Sequence, residues 1–124
     1  MTHLPKAIVT TSWDDGHSSD LKLMDLLNKY ELEGTFYIPA RNPERAVMQK
    51  QEIAELVAAG FETGSHTYNH RVLTRLSPKT MLDEILQGKD YLEQLLGKKI
   101  LSFCYPKGKF NTAAANSVKA AGIK

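Results

Sequence analysis

Gln51-Glu-Ile-Ala-Glu-Leu-Val-Ala-Ala-Gly-Phe-Glu-Thr-Gly-Ser-His-Thr-Tyr-Asn-His70 contains one complete unit of the fold. Ile53, Leu56 and Val57 recur at helical spacing, which predicts a helix over residues 51–59 with Gly60 closing it. Phe61-Glu-Thr-Gly64 follows as a short strand, and the polar run Ser65-His-Thr-Tyr-Asn-His70 leaves its end. A helix passing through one glycine into a strand that ends in polar side chains is the repeating element of a parallel sheet.

The same alternation extends in both directions. Upstream, Thr35-Phe-Tyr-Ile38 reads as a strand stopped by Pro39. A helix is predicted over residues 20–30, with Leu21, Leu23, Met24, Leu26 and Leu27 as its apolar stripe and Ser18 or Ser19 as its cap. Before it, Ala7-Ile-Val-Thr-Thr-Ser12 is β-branched and short, as a first strand would be. Downstream, Ser77 caps and Pro78 opens a helix to Leu96, with Asp83 and Glu84 early in it and Gly97 at its end. Residues 100–105 predict a fourth strand ended by Pro106, and Asn111 caps a last helix reaching Gly122. Four consecutive strand–helix units predict an α/β fold: a parallel sheet covered by helices, forming one domain over residues 1–124. In such folds the chemistry lies at the carboxyl ends of the strands.

Composition narrows the function classes. A chain of 124 residues matches one domain at ~150 residues per domain. Apolar residues are 42% and charged residues 24%, a globular balance that excludes disorder. Sixteen Lys and Arg against fourteen Asp and Glu give +2, too little charge to imply nucleic acid or an anionic membrane as partner. No apolar run approaches the ~20 residues of a membrane span. Met1-Thr-His-Leu-Pro-Lys6 has no apolar stretch of a secretion signal, so a cytoplasmic location is expected. The single cysteine, Cys104, excludes an intrachain disulfide and a multi-cysteine zinc site.

Three polar clusters fall at predicted strand ends. Trp13-Asp-Asp-Gly-His17 follows the first strand, Ser65 to His70 the third, and Pro106-Lys-Gly108 the fourth. His66 and His70 are four apart. On a helical turn that spacing puts both imidazoles on one face, where they can reach one metal ion. Their alternative is two solvated loop histidines. The adjacent acids Asp14 and Asp15 leave the strand in different directions, so one carboxylate can bind a metal while the other stays free as a base. Gly16 lets the chain turn sharply after them. Their alternative is an acidic turn capping the next helix. Phe103-Cys-Tyr-Pro-Lys-Gly108 alone reads as a strand ending in a turn, and Lys107, Lys109 and Arg71 as surface charges.

Together these residues resemble a known family. Thr11-Ser-Trp-Asp-Asp-Gly16, Ser65-His-Thr-Tyr-Asn-His70 and Phe103-Cys-Tyr-Pro-Lys-Gly108 stand in the order of the motifs of the polysaccharide deacetylases, the NodB-type homology domain. Glu33-Gly-Thr-Phe-Tyr-Ile38 and Gly60-Phe-Glu-Thr-Gly-Ser-His66 look like that family's connecting segments, so the resemblance covers nearly the whole chain. It implies a partial, distorted (β/α) barrel. It also implies hydrolysis of N- or O-acetyl groups on a carbohydrate substrate. By the same resemblance Asp14 is the general base, and Asp15, His66 and His70 are ligands of a divalent metal, zinc foremost with cobalt or nickel as substitutes. The amide of Lys107 takes the oxyanion-donor position.

Two departures stand out. Cys104 occupies the place where the family's third motif has an arginine that orients the catalytic aspartate. No counterpart of the family's later Leu-x-His, which carries the general acid, precedes Lys124, and neither His3 nor His17 matches it. A part-barrel leaves an unpaired strand edge and apolar surface. The expectation is therefore a longer parent protein or a homo-oligomer that covers the edge. Two other readings keep the same residues: a non-catalytic metal- or glycan-binding remnant, and a metal hydrolase acting on a small amide. A phosphorylation-receiver domain needs an aspartate at the end of the third strand, where this chain has Gly64-Ser-His66.

Overall fold

The protein is described here by a computed structural model covering residues 3–4 and 7–123. Three strands form a parallel sheet in chain order: β1 (Ser12–Trp13), β2 (Thr35–Ile38) and β3 (Glu62–Ser65). The helices are α1 (Asp20–Lys29), α2 (Lys50–Ala58), α3 (Pro78–Leu96) and α4 (Thr112–Ala120). Among the described residues no helix is long and apolar enough to cross a membrane. Ser12 registers with Thr35, and Thr35 to Ile38 register with Glu62 to Ser65. Phe36 and Ile38 are fully buried while Thr35 and Tyr37 are half-buried, as expected for a strand covered on both faces.

The outer strands are shorter than the sequence predicts. The first was expected over residues 7–12, but ladder pairing is confined to Ser12 and Trp13, with Thr35 N donating to Thr11 O at 3.0 Å. Ile8 and Val9 are 83% and 75% exposed. β-branched residues favour a strand only where neighbours cover them, and here that edge is bare. The fourth was expected over residues 100–105. It contributes one parallel bridge, Ser65 to Phe103, in which Ser65 N donates to Ser102 O and Cys104 N to Ser65 O, both at 2.9 Å. The bridge stands at the last residue of β3, so residues 104 and 105 lie beyond its end, while residues 100–102, alongside Glu62–Gly64, form no ladder with it.

Two apolar clusters hold the layers together. Leu27, Phe36, Ile38, Met48, Ile53, Leu56, Phe61, Leu92 and Ile100 fill the space between the sheet and α1, α2 and α3. Leu73, Met81, Ile85, Ala114, Val118, Ala121 and Ile123 lie between α3 and α4. Helix α3 joins both and matches its predicted bounds. Ser77 Oγ accepts from Thr80 N, Pro78 opens the helix and Gly97 closes it. Its buried stripe is Met81, Glu84, Ile85, Gly88 and Leu92, the i, i+3, i+4, i+7 pattern of a core-facing helix, yet two of the five are not apolar side chains. Asn111 caps α4 as predicted, its Oδ1 accepting from Ala114 N at 2.8 Å. Ser19 stands at the cap of α1 but does not cap it, since its hydroxyl lies 2.7 Å from His17 Nδ1 instead.

Candidate metal centre

The segments that leave β1 and β3, and the one that follows the Phe103 bridge, converge on one rim. After Trp13 the backbone turns through Asp15 (φ 74°) and Gly16 (φ 65°). The turn is clamped from outside: Met48 N donates to Gly16 O at 2.9 Å, and His17 bridges to Val47 in antiparallel sense. After Ser65 the chain turns through Thr67 (φ 68°) and His70 (φ 57°), and Arg41 N donates to Tyr68 O at 2.7 Å. Residues 40–48 therefore fasten the acidic turn and the histidine loop to each other.

The histidine loop is not the helical turn that the four-residue spacing suggested. Two left-handed residues, one of them β-branched, bring the rings together by another route. Their centroids are 4.8 Å apart. Asp15, Thr67, His70 and Lys107 are four of the five non-glycine residues with positive φ among the described residues. Such conformations cost on the order of 1–3 kcal/mol each, and they persist where surrounding contacts enforce them.

The acids and imidazoles meet at close range. Asp15 Oδ1 lies 3.0 Å from His70 Nε2 and 3.4 Å from His66 Nε2. Asp14 Oδ2 is 3.9 Å from His66 Nε2, and the Asp14 side chain is 55% exposed against 25% for Asp15. One ligand atom each from Asp15, His66 and His70 can be chosen with all three mutually within 4.8 Å. Asp14, His66 and Cys104 make a second such group around the same imidazole.

The donor atoms are prepared for a cation. His66 Nδ1 lies 2.7 Å from Cys104 O, which fixes the proton on Nδ1 and leaves the Nε2 lone pair facing Asp15. His66 and His70 are buried, and both Nε2 atoms lack a properly oriented hydrogen bond despite the nearby carboxylate oxygen. Buried nitrogens left this way are rare in folded proteins. Burial holds the His66 pKa below the ordinary imidazole value, favouring the neutral, metal-binding form. Two imidazoles and one carboxylate fit a divalent ion and leave positions open for water and substrate.

The remaining sequence-selected residues are less central. Lys107 has left-handed backbone (φ 60°), and among the described residues its N–H donates to no backbone carbonyl. Its ammonium group points elsewhere, donating to Glu44 Oε2 at 2.7 Å. Cys104 Sγ is 3.9 Å from Asp14 Oδ2. Burial, with the charges of Asp14 and Asp15, pushes the Cys104 thiol up to about 11. The described cation nearest to Asp15 is Arg45, whose Nη1 is 4.0 Å from Oδ2.

Two acids escaped the sequence reading. Asp20, in the first turn of α1, is buried with Oδ2 unpaired. Burial, then the charges of Asp14 and Asp15, raise its pKa to about 6. Glu84 reads as an early-helix acid, but only its neighbour Asp83 behaves so, pairing with Lys79 on the surface. Glu84 itself is 5% exposed and accepts from Asn69 N at 2.9 Å and Asn69 Nδ2 at 2.7 Å. The available signal was its place in the apolar stripe with Met81, Ile85 and Leu92. Asp20 carried no signal, because an acid in a first turn is ordinary.

The profile of the polysaccharide deacetylase family matches residues 2–124. A peptidoglycan-N-acetylglucosamine deacetylase of Bacillus cereus is 33% identical over 120 residues, covering 94% of this chain and 54% of that protein. The peptidoglycan-N-acetylmuramic acid deacetylase PdaC of Bacillus subtilis is 26% identical over 114 residues, covering 90% and 24%. Among solved structures, the Streptococcus pyogenes deacetylase PplD in complex with acetate superimposes with a TM-score of 0.87 at 24% identity, covering 94% of this chain and 54% of that one. A family 4 carbohydrate esterase from Streptomyces lividans gives 0.83 at 22% identity, covering 96% and 61%. The fold is that of these proteins, a parallel sheet with helices fitting part of a distorted barrel. The chain spans about half the length of the first of these curated relatives.

Proposed function

Since the chain belongs to the polysaccharide deacetylase family, we propose that it is a metal-dependent hydrolase that removes acetyl groups from the nitrogen or oxygen of a carbohydrate, releasing acetate. The observation that carries this reading is the approach of Asp15 Oδ1 to the unpaired Nε2 atoms of His66 and His70, with Asp14 beside them and open to solvent.

In this reading Asp15, His66 and His70 hold the metal, zinc first, with cobalt or nickel able to replace it. A divalent ion bound there supplies Lewis acidity toward the acetyl oxygen and acidifies water. Asp14 is the general base, a role its exposure and its distance from His66 permit. It takes a proton from water as the water oxygen bonds to the acetyl carbon. The bond from that carbon to sugar nitrogen or oxygen then breaks, and the departing atom takes the proton that Asp14 had accepted, which returns Asp14 to its carboxylate. The Lys107 N–H is a donor for the developing oxyanion; one such donor is worth roughly 3–4 kcal/mol.

The test is acetate release from chitin oligomers and acetylxylan after zinc or cobalt is added. Turnover that disappears in Asp14→Asn, with metal still bound, supports the assignment. Cys104 favours a second reading, a non-catalytic metal- or glycan-binding domain, because among the described residues no guanidinium pairs with Asp14. Tight metal binding without acetate release decides for that second reading.

A further inference from the structure

We infer that Glu84 is a positioning residue that sets the histidine loop at metal-binding spacing by holding Asn69. The inference rests on the reading of Asp15, His66 and His70 as metal ligands.

The two imidazoles are held by different means. His66 follows directly from β3, and its ring is oriented by the Cys104 carbonyl at 2.7 Å. His70 has no such support. Its Nδ1 is buried without a hydrogen-bond partner among the described residues, and its backbone is left-handed, at φ 57°. That backbone begins one residue after Asn69.

Asn69 is fixed from α3. Its N–H and its side-chain amide donate to the two oxygens of Glu84, at 2.9 and 2.7 Å. Tyr68 N donates to the Glu84 carbonyl at 3.1 Å, so one residue of α3 takes three bonds from the loop. Gly88, one turn on, allows the approach: a Cβ there would lie 2.5 Å from the Thr67 carbonyl carbon.

The chemistry of position 84 points the same way. It lies in the buried stripe, where leucine would fit packing alone. A buried carboxylate is costly unless its lone pairs are satisfied, and among the described residues no cation pairs with Glu84. Two acceptor oxygens facing two donors of one residue account for a carboxylate here. Glutamine offers one acceptor and sets its own amide against the Asn69 amide.

The test uses the full chain and zinc alone, with affinity measured by competition against a chromophoric chelator. Glu84→Gln is expected to weaken zinc binding 10–100-fold, the range for groups that orient metal ligands. It should also alter the visible spectrum of the cobalt-loaded protein. Adding Asn69→Asp reverses donor and acceptor: the introduced glutamine amide donates to the introduced aspartate carboxylate, and the glutamine oxygen accepts from the backbone N–H at position 69. The double variant is expected to recover most of the affinity and the parent cobalt spectrum. Parent affinity in a folded Glu84→Gln protein overturns the inference and leaves the metal centre standing. So does a folded double variant that stays weak. If Glu84→Gln alone does not fold, the double variant decides. A parent chain that takes up no zinc overturns the metal reading and this inference together.

Discussion

The Cys104 thiol donates to Asp14 Oδ2 across 3.9 Å, so the candidate base is paired with a neutral group rather than a cation. The pairing acts in both directions. Asp14 gains no guanidinium, and the thiol, half-buried beside two carboxylates, is pushed up to about 11. At pH 8 such a thiol is ~0.1% thiolate, against roughly a quarter for an unperturbed cysteine. Alkylation of Cys104 by iodoacetamide, followed by mass spectrometry, should run roughly two hundredfold slower than that of a free cysteine on thiolate fraction alone. Asp14→Asn removes one of the raising charges and should speed it. Labelling at the free-cysteine rate in the parent would contradict the geometry around Asp14.

What the sequence revealed and what it hid follow from locality. Helix α3 was readable to the residue because Ser77, Pro78 and Gly97 are local signals and nineteen residues carry its period. β2 and β3 were readable because both are covered. The first strand and the fourth were overestimated because strand formation depends on a partner, and Ile8, Val9 and Leu101 are exposed. The His66–His70 spacing suggested proximity for a helical reason. The rings do meet, but through left-handed Thr67 and His70, a conformation no spacing rule predicts. Asn69 to Glu84, fifteen residues apart, is a pairing of tertiary structure, visible beforehand only as an acid on an apolar face.

Zinc affinity should depend on pH in a particular way. Burial holds His66 below the ordinary imidazole pKa of about 6.5. Half-protonation of His66 in the folded, metal-free chain therefore falls below pH 6.5. In affinity measured by chelator competition from pH 8 downward, the loss attributable to His66 should be centred below pH 6.5. A loss already centred above 6.5 would indicate an exposed, unperturbed imidazole. In the metal-free chain the same lowered value removes stability as pH falls below 6.5, because the unfolded state takes the proton first.

Gly88 offers a test of how tightly α3 presses on the loop. In a helix interior alanine is favoured over glycine by ~1 kcal/mol, so a surface Gly→Ala change would stabilise. Here the added Cβ would meet Thr67 carbonyl carbon at 2.5 Å and oxygen at 2.8 Å, atoms of the backbone rather than of a flexible side chain. Forcing extra volume into a packed site costs typically 1–3 kcal/mol. Gly88→Ala should therefore give a net loss of up to about 2 kcal/mol by urea denaturation, with weaker zinc binding. A rise in stability would mean that the contact yields freely.

Asp20 supplies the clearest stability test. Its pKa in the folded chain is raised from 3.8 to about 6, first by burial and then by Asp14 and Asp15. Between those two values the folded state holds a proton that the unfolded state has lost. Its contribution is therefore fully present below pH 3.8 and is lost as pH rises through 6. An asparagine at this position cannot ionise and escapes that loss. In chelator-treated protein, Asp20→Asn should match the parent near pH 3.5 and be more stable by ~1–2 kcal/mol at pH 7.5, allowing for screening of a partly solvated group. Zinc should narrow the gap, because a divalent charge among Asp14, Asp15 and the histidines offsets the repulsion that raises Asp20. Equal stability at pH 7.5 in the metal-free state would show that Asp20 ionises there without penalty, and a gap that zinc leaves unchanged would place the cation away from these acids.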